Sequence, residues 1–244
     1  NDSDHSLPCS GQKTTIVSTE LQAVIFDMDG VIIESEYTHY SSICEAMGEE
    51  MTVSYEHFLE KCTGGDERFA MGRMAKLSGI SFDEGLFQEW SRRKATAYAR
   101  LVAQEARAMP GAIELVESVA EVLPIGLATG SRRSDVDAAL SVLAEGRLKG
   151  IFNVIVTSGD VDKPKPDPAT YSRAVEELDV AASACFAIED SPNGMTSARG
   201  AGLRVIGISA IHSEDKLSEA ERVLSTLIGV SLADLRQWFA EPVD

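Results

Sequence analysis

Five short runs of this chain are apolar without interruption: Ala23-Val24-Ile25-Phe26, Ile125-Gly126-Leu127-Ala128, Val154-Ile155-Val156, Cys185-Phe186-Ala187-Ile188 and Val205-Ile206-Gly207-Ile208. A strand with one wet face alternates apolar and polar residues. Continuous runs of this length belong to strands covered on both faces, as in a parallel sheet packed between helices. Stretches of helical period separate the runs, at 112–122, 133–144, 168–178, 194–201 and 215–226, and another at 232–240 closes the chain. The alternation predicts an α/β fold with a doubly wound parallel sheet.

One connection breaks the rhythm. About 80 residues separate Gly30 from Gly111, and they carry helical patterns at 36–47, 54–62, 66–77 and 83–107. In the last of these Leu86, Phe87, Trp90, Ala97, Tyr98, Leu101 and Val102 form one apolar stripe. A connection this long with its own apolar faces is expected to be an inserted all-helical cap domain, residues 36–108. The α/β core then comprises 21–35 and 109–244, and residues 1–20 read as a polar tail. An insertion directly after the first strand sits over the carboxyl ends of the strands, where open α/β sheets bind ligands.

Composition narrows the partners. The 244 residues include 39 Asp or Glu against 22 Lys or Arg, a formal net charge of −17. Nucleic acid, which needs a cationic surface, is not an expected partner. No apolar run approaches the ~20 residues of a membrane span. The four cysteines, Cys9, Cys44, Cys62 and Cys185, have neither CxxC spacing nor nearby histidines, so they read as incidental thiols in a reducing compartment. The cytoplasm is expected, or a plastid stroma if the tail is the remnant of a processed targeting segment.

Four groups of chemically useful residues stand at the ends of expected strands. Asp27-Met28-Asp29-Gly30 follows the first run: one carboxylate can act as a nucleophile while its neighbour transfers protons. Thr129-Gly130-Ser131 follows the second, where backbone N–H groups can reach an anion at a helix entry. Lys163-Pro164-Lys165-Pro166-Asp167-Pro168 offers a fixed positive charge, with Asp167 and Pro168 suited to starting a helix. Glu189-Asp190-Ser191-Pro192-Asn193-Gly194 follows the fourth run and brings a second acidic pair. Carboxylates crowded around one cleft favour a hard cation such as Mg²⁺. Each group alone is also an ordinary turn or helix cap. The combination, in this order and each at the end of a separate buried strand, is specific.

In these four groups the chain resembles the haloacid dehalogenase-like hydrolase superfamily, with a Rossmann-like core and a helical cap, from about Leu21 to the C-terminus. The string Asp29-Gly-Val-Ile-Ile-Glu-Ser-Glu36, with His39 three residues on, resembles the β-phosphoglucomutase and CbbY-type branch. The string Thr63-Gly-Gly-Asp-Glu-Arg68 resembles CbbY phosphatases in particular, which act on pentulose bisphosphates. The third motif is matched by Lys165-Pro-Asp-Pro-Ala-Thr-Tyr171, with Lys163 in reserve.

The resemblance implies a Mg²⁺-dependent phosphatase for a small phosphorylated sugar, with bisphosphates such as xylulose bisphosphate among the candidates. Asp27 is the implied nucleophile, forming an aspartyl phosphate, and Asp29 the implied acid and base. Asp27, the backbone carbonyl of Asp29 and Asp190, with Glu189 nearby, are the implied metal site. Thr129, Gly130 and Lys165 are expected to hold the phosphoryl oxygens. Ser131, Glu36, His39, Gly64, Gly65, Arg68 and Lys94 complete the expected substrate-binding set. Lys94 has snorkelling as its alternative and Arg68 a surface ion pair. The same core motifs also suit a phosphomutase, and a non-catalytic binding module is the remote alternative. A monomer is expected.

Overall fold

The structure, a computed structural model, describes residues 20–63 and 65–242. The polar tail up to Thr19, with Cys9, and the expected site residue Gly64 lie outside the described residues. The chain enters the sheet with β1 (Ala23–Phe26) and leaves it for four helices: α1 (Glu36–Met47), α2 (Tyr55–Lys61), α3 (Glu67–Leu77) and α4 (Glu84–Glu105). It then alternates through α5 (Ala112–Ala120), β2 (Ile125–Ala128), α6 (Arg133–Val142), β3 (Val154–Val156), α7 (Ala169–Glu177), β4 (Cys185–Glu189), α8 (Pro192–Gly200), β5 (Arg204–Ile208), β6 (Arg222–Leu224) and α9 (Leu232–Ala240). The six strands are parallel, in the order β3-β2-β1-β4-β5-β6. β1 thus lies between β2 and β4, and the chain winds away from it first to one side and then to the other. That reversal opens a crevice at the carboxyl ends of β1 and β4.

The continuous apolar runs fold this way because both sheet faces are covered. Val24, Phe26, Leu127, Phe186 and Ile206 face α5, α6 and α9, and pack with Leu115, Val136 and Phe239. Ala23, Ile25, Ala128, Ala187 and Val205 face α7 and α8, and pack with Tyr171 and Met195. Each large apolar side chain fully buried in these layers contributes roughly 1.5–3 kcal/mol. The helices α1 to α4 have a core of their own, built around Ile43, Phe58, Met71, Met74, Phe87 and Trp90. Asp66 and Asp83 cap α3 and α4 by accepting the N–H groups of Phe69 and Leu86, each at 2.8 Å. α4 carries Tyr98 and Val102 down to the sheet-side core, joining the two.

The two connections between these helices and the sheet run side by side. Glu34 N–H donates to the Arg107 carbonyl at 2.9 Å, and Met109 N–H to that of Ile32 at 2.9 Å.

The stretch 215–226 is not the expected helix. It forms a short 3-10 turn at Glu214–Leu217 and then the edge strand β6, whose residues are only partly buried. Leu217, Ala220, Val223 and Leu224 fall at helical spacing, but Val223 and Leu224 pair with Gly207 and Ile208 of β5 instead. An available sheet edge outweighs a weak helical pattern here.

Candidate active site

Side chains alternate along a strand, so one residue beyond β1 the side chain of Asp27 points to the same side as Ile25. That is the side of α7, and the loop before α7 delivers Lys165 there. Lys165 Nζ lies 2.9 Å from Asp27 Oδ1, 2.5 Å from Glu189 Oε1 and 2.9 Å from the Ala128 carbonyl. It therefore spans the ends of β1, β2 and β4. Lys163 is exposed, 4.0 Å from Asp167, so Lys165 is the lysine at the strand ends. Asp167 accepts the Ala169 N–H at 3.0 Å, at the start of α7.

Glu189 is fully buried, below the cleft surface. Tyr171 donates its hydroxyl to Glu189 Oε1 at 2.9 Å, while Oε2 accepts the Asp190 and Ser191 N–H groups and the Ser191 hydroxyl at 3.1, 3.2 and 3.1 Å. Glu189 orders the turn on which Asp190 stands. Gly194 has to be glycine for this arrangement, because a Cβ there would overlap the Glu189 carboxylate. Gly30 answers a similar need beneath Asp190: its φ is +73°, and a Cβ would collide with the Asp190 carboxylate.

Carboxylate oxygens of Asp27, Glu189 and Asp190 lie within 4.8 Å of one another, all three residues being buried. Burial, joined by mutual repulsion, pushes the carboxyls of Asp27 and Asp190 well above their usual range, with Lys165 opposing the shift at Asp27. A hard divalent cation bound through oxygen is the partner that lets such groups remain ionised together. The donor set fits one.

Asp29 has the opposite environment. Burial works against its charge, but the neighbouring His39 and hydrogen bonds from His39, Ser131 and Ser35 outweigh it and hold the carboxyl below the usual range. Ser131 Oγ is 2.6 Å from Oδ2, and His39 Nε2 is 2.9 Å from Oδ1. His39 stacks on Tyr98 with ring centroids 4.7 Å apart. Burial lowers the imidazole's pKa, but Asp29 more than compensates and the net shift is upward.

An open cleft lies between these groups and the helices α1 to α4. Of the expected residues, Asp27, Asp29, Glu36, His39, Gly65, Lys94, Gly130, Ser131, Lys165 and Asp190 line it. Burial pushes the Glu36 carboxyl upward. Three of the expected residues are engaged by the protein itself. Thr129 is fully buried, its hydroxyl accepting the Ser131 N–H at 3.0 Å, so it shapes the turn and does not form the cleft wall. Arg68 lies outside the cleft: it pairs with Glu84 at 2.6 Å and stacks over Phe87 at 4.5 Å. Lys94 lines the cleft but is 1% exposed and held by Asp135 and by Glu67, the latter at 3.2 Å.

Sequence reasoning missed Arg132 and His212, which also line the cleft. Arg132 pairs with Glu67 at 2.9 Å across the boundary with α3. Its place directly after Ser131 was the available signal; His212 follows β5 in a loop and offered none.

Residues 24–208 match the family model for haloacid dehalogenase-like hydrolases. The chain is 36% identical over 194 residues to the protein CbbY of Rhodobacter capsulatus, covering 77% of this chain and 85% of that one. It is 31% identical over 212 residues to validoxylamine A 7'-phosphate phosphatase of Streptomyces hygroscopicus subsp. limoneus, covering 86% and 95%. Among solved structures, a CbbY variant from Rhodobacter sphaeroides in complex with xylulose-1,5-bisphosphate superposes with a TM-score of 0.81 at 26% identity, covering 88% and 99%. No helix among the described residues is long and apolar enough to cross a membrane. The strand order, the four strand-end groups and these similarities agree: the chain belongs to the haloacid dehalogenase-like hydrolase family.

Proposed function

We propose that this protein is a Mg²⁺-dependent phosphatase that hydrolyses a small phosphorylated sugar through an aspartyl-phosphate intermediate. The observation that carries the reading is the pairing at the strand ends of two carboxylates with opposite environments. Asp27 sits beside Lys165 and Asp190, whereas Asp29 is held by Ser131, Ser35 and His39. Relatives support the substrate class, since one is a validoxylamine A 7'-phosphate phosphatase and another has been crystallised with xylulose-1,5-bisphosphate.

In this reading Asp27 attacks phosphorus and the sugar oxygen leaves. Asp29 gives that oxygen its proton and later takes one from the attacking water. The incoming phosphate dianion raises the proton affinity of Asp29, and the hydrogen bond to His39 supplies an exchange partner for the proton. Lys165 and the Gly130 N–H balance the charge on the phosphoryl oxygens. Asp27, Asp190 and the Asp29 backbone carbonyl would hold Mg²⁺, with Glu189 ordering the turn; bound there, the ion offsets repulsion between nucleophile and phosphate. The cap helices α1 to α4 close the cleft above the reacting group and exclude bulk water.

The test is release of inorganic phosphate from a panel of pentose, pentulose and hexose phosphates with Mg²⁺. The expected result is turnover that falls below a few per cent in D27N. A fully active D27N would overturn the nucleophile assignment, and release of an isomerised sugar phosphate in place of inorganic phosphate would identify a mutase.

A further inference from the structure

The cleft is lined by seven carboxylates and three permanent cations, Lys94, Arg132 and Lys165. Each of the three cations is already ion-paired. Lys165 serves Asp27 and Glu189 at the reacting end. Lys94, on α4, is held by Asp135 of α6 and by Glu67 of α3, and lies 4.6 Å over the Tyr98 ring. Arg132 shares Glu67 and lies 5.3 Å over the Phe87 ring. The side chains of Asp135 and Glu67 are only 2% and 9% exposed. Releasing Lys94 to a ligand would leave the buried Asp135 without its counter-charge and Glu67 with Arg132 alone, which is strongly unfavourable. Arg68 faces Glu84, away from the cleft.

The side of the cleft formed by α1 to α4 and their loops consequently has no uncommitted permanent cation among the described residues. It offers instead the carboxylates of Glu36, which also neighbours Asp29, and of Asp66, and the apolar surfaces of Ile43, Phe58, Cys62 and Ala70. A second phosphate dianion placed there would meet like charge. A neutral polyol would find acceptors for its hydroxyls and apolar surface for its carbon skeleton.

Resting on the hydrolase reading above, we propose that Asp135 and Glu67 act as specificity-determining residues. By holding Lys94 across the boundary between the helical insertion and the sheet, they restrict the site to sugar monophosphates with an uncharged, hydroxyl-rich body and discriminate against bisphosphates. Asp135 and Glu67 are positioning residues in this scheme, acting on the substrate through Lys94.

The experiment compares kcat/KM for matched pairs: xylulose 1-phosphate and xylulose 5-phosphate against xylulose 1,5-bisphosphate, and glucose and fructose monophosphates against their bisphosphates, all with Mg²⁺. The wild-type protein is expected to favour the better monophosphate of a pair by on the order of 10-fold or more. D135N and E67Q, which free Lys94 from one partner each, are expected to move the ratio toward the bisphosphate by roughly 10-fold. General damage to the fold lowers both rates and leaves the ratio in place, so the ratio separates positioning from stability. A wild-type preference for bisphosphates overturns the proposal, as does an unchanged ratio in folded D135N and E67Q. If neither variant folds, the wild-type ratio decides. A wild-type protein inert on every ester overturns the hydrolase reading itself, and is thereby distinguished from a hydrolase that prefers bisphosphates.

Discussion

Lys165 and Glu189 form a 2.5 Å ion pair in the floor of the cleft, and the same ammonium reaches Asp27 at 2.9 Å. One cation thus holds two buried carboxylates from different strands. K165M keeps most of the side-chain bulk and removes the charge, leaving both carboxylates uncompensated. We expect the metal-free variant to be destabilised by about 3 kcal/mol, read from urea unfolding, because breaking a buried pair from one side strands the other charge. Phosphate release should fall by at least ~10²-fold. A variant as stable and active as wild type would show that the ion pairs are incidental.

The acidic cluster predicts a ligand-linked change in stability. Burial opposes ionisation of both Asp27 and Asp190, so the site gains most from a cation that neutralises them. Mg²⁺ at a hundredfold its dissociation constant should stabilise wild type by about 2.7 kcal/mol, seen as a rise in Tm. D190N should lose most of that rise. Without Mg²⁺, it should be at least as stable as wild type, because a buried carboxylate has been removed from mutual repulsion. Thermal unfolding with and without the ion checks both statements.

Gly194 and Gly130 differ in what a methyl group would meet. At Gly194 a Cβ overlaps the Glu189 carboxylate, whereas at Gly130 it meets nothing within 4 Å. G194A must expel Glu189 from its bonds to Tyr171 and Lys165, and should cost about 2–4 kcal/mol in stability. G130A should stay within about 1 kcal/mol of wild type. Equal effects in urea denaturation would contradict the packing described for Glu189.

Asp160 supplies a pH-dependent contribution outside the acidic cluster. Its carboxyl is held below the ordinary 3.8 chiefly by the Thr157 hydroxyl hydrogen bond, with the Thr157 N–H and Arg173 assisting. A lowered native pKa means that the stabilisation is complete above about pH 3.8, where the unfolded carboxyl is also ionised. It fades as the pH falls through the lower native value. D160A should therefore be less stable than wild type by about 1 kcal/mol at pH 7. The gap should narrow towards pH 3, measured by denaturation at each pH.

Asp27, Asp29, Lys165 and Asp190 were legible because each stands just past an apolar run or in a motif with fixed spacing, where local chain direction decides where a side chain goes. Arg68 was legible in type but not in direction: with Asp66 capping α3, the guanidinium at the second helical residue turns to Glu84. The pairing of Lys94 with Asp135 joins residues 41 positions apart, and no local pattern encodes it. His212 belongs to the same class, acquiring its place from packing between elements. β6 escaped because three partly buried edge residues carry too little period to compete with the helical spacing around them.

The paired connections at Glu34 and Arg107 bear on how this architecture can change. The excursion through α1 to α4 leaves the sheet and returns within one hydrogen bond of its departure. To the strands it is equivalent to a tight loop, whatever its length. The register of β1 against β2 and β4 is therefore indifferent to what the excursion contains. A lineage could exchange those helices, and with them the substrate, without renegotiating a single strand pair.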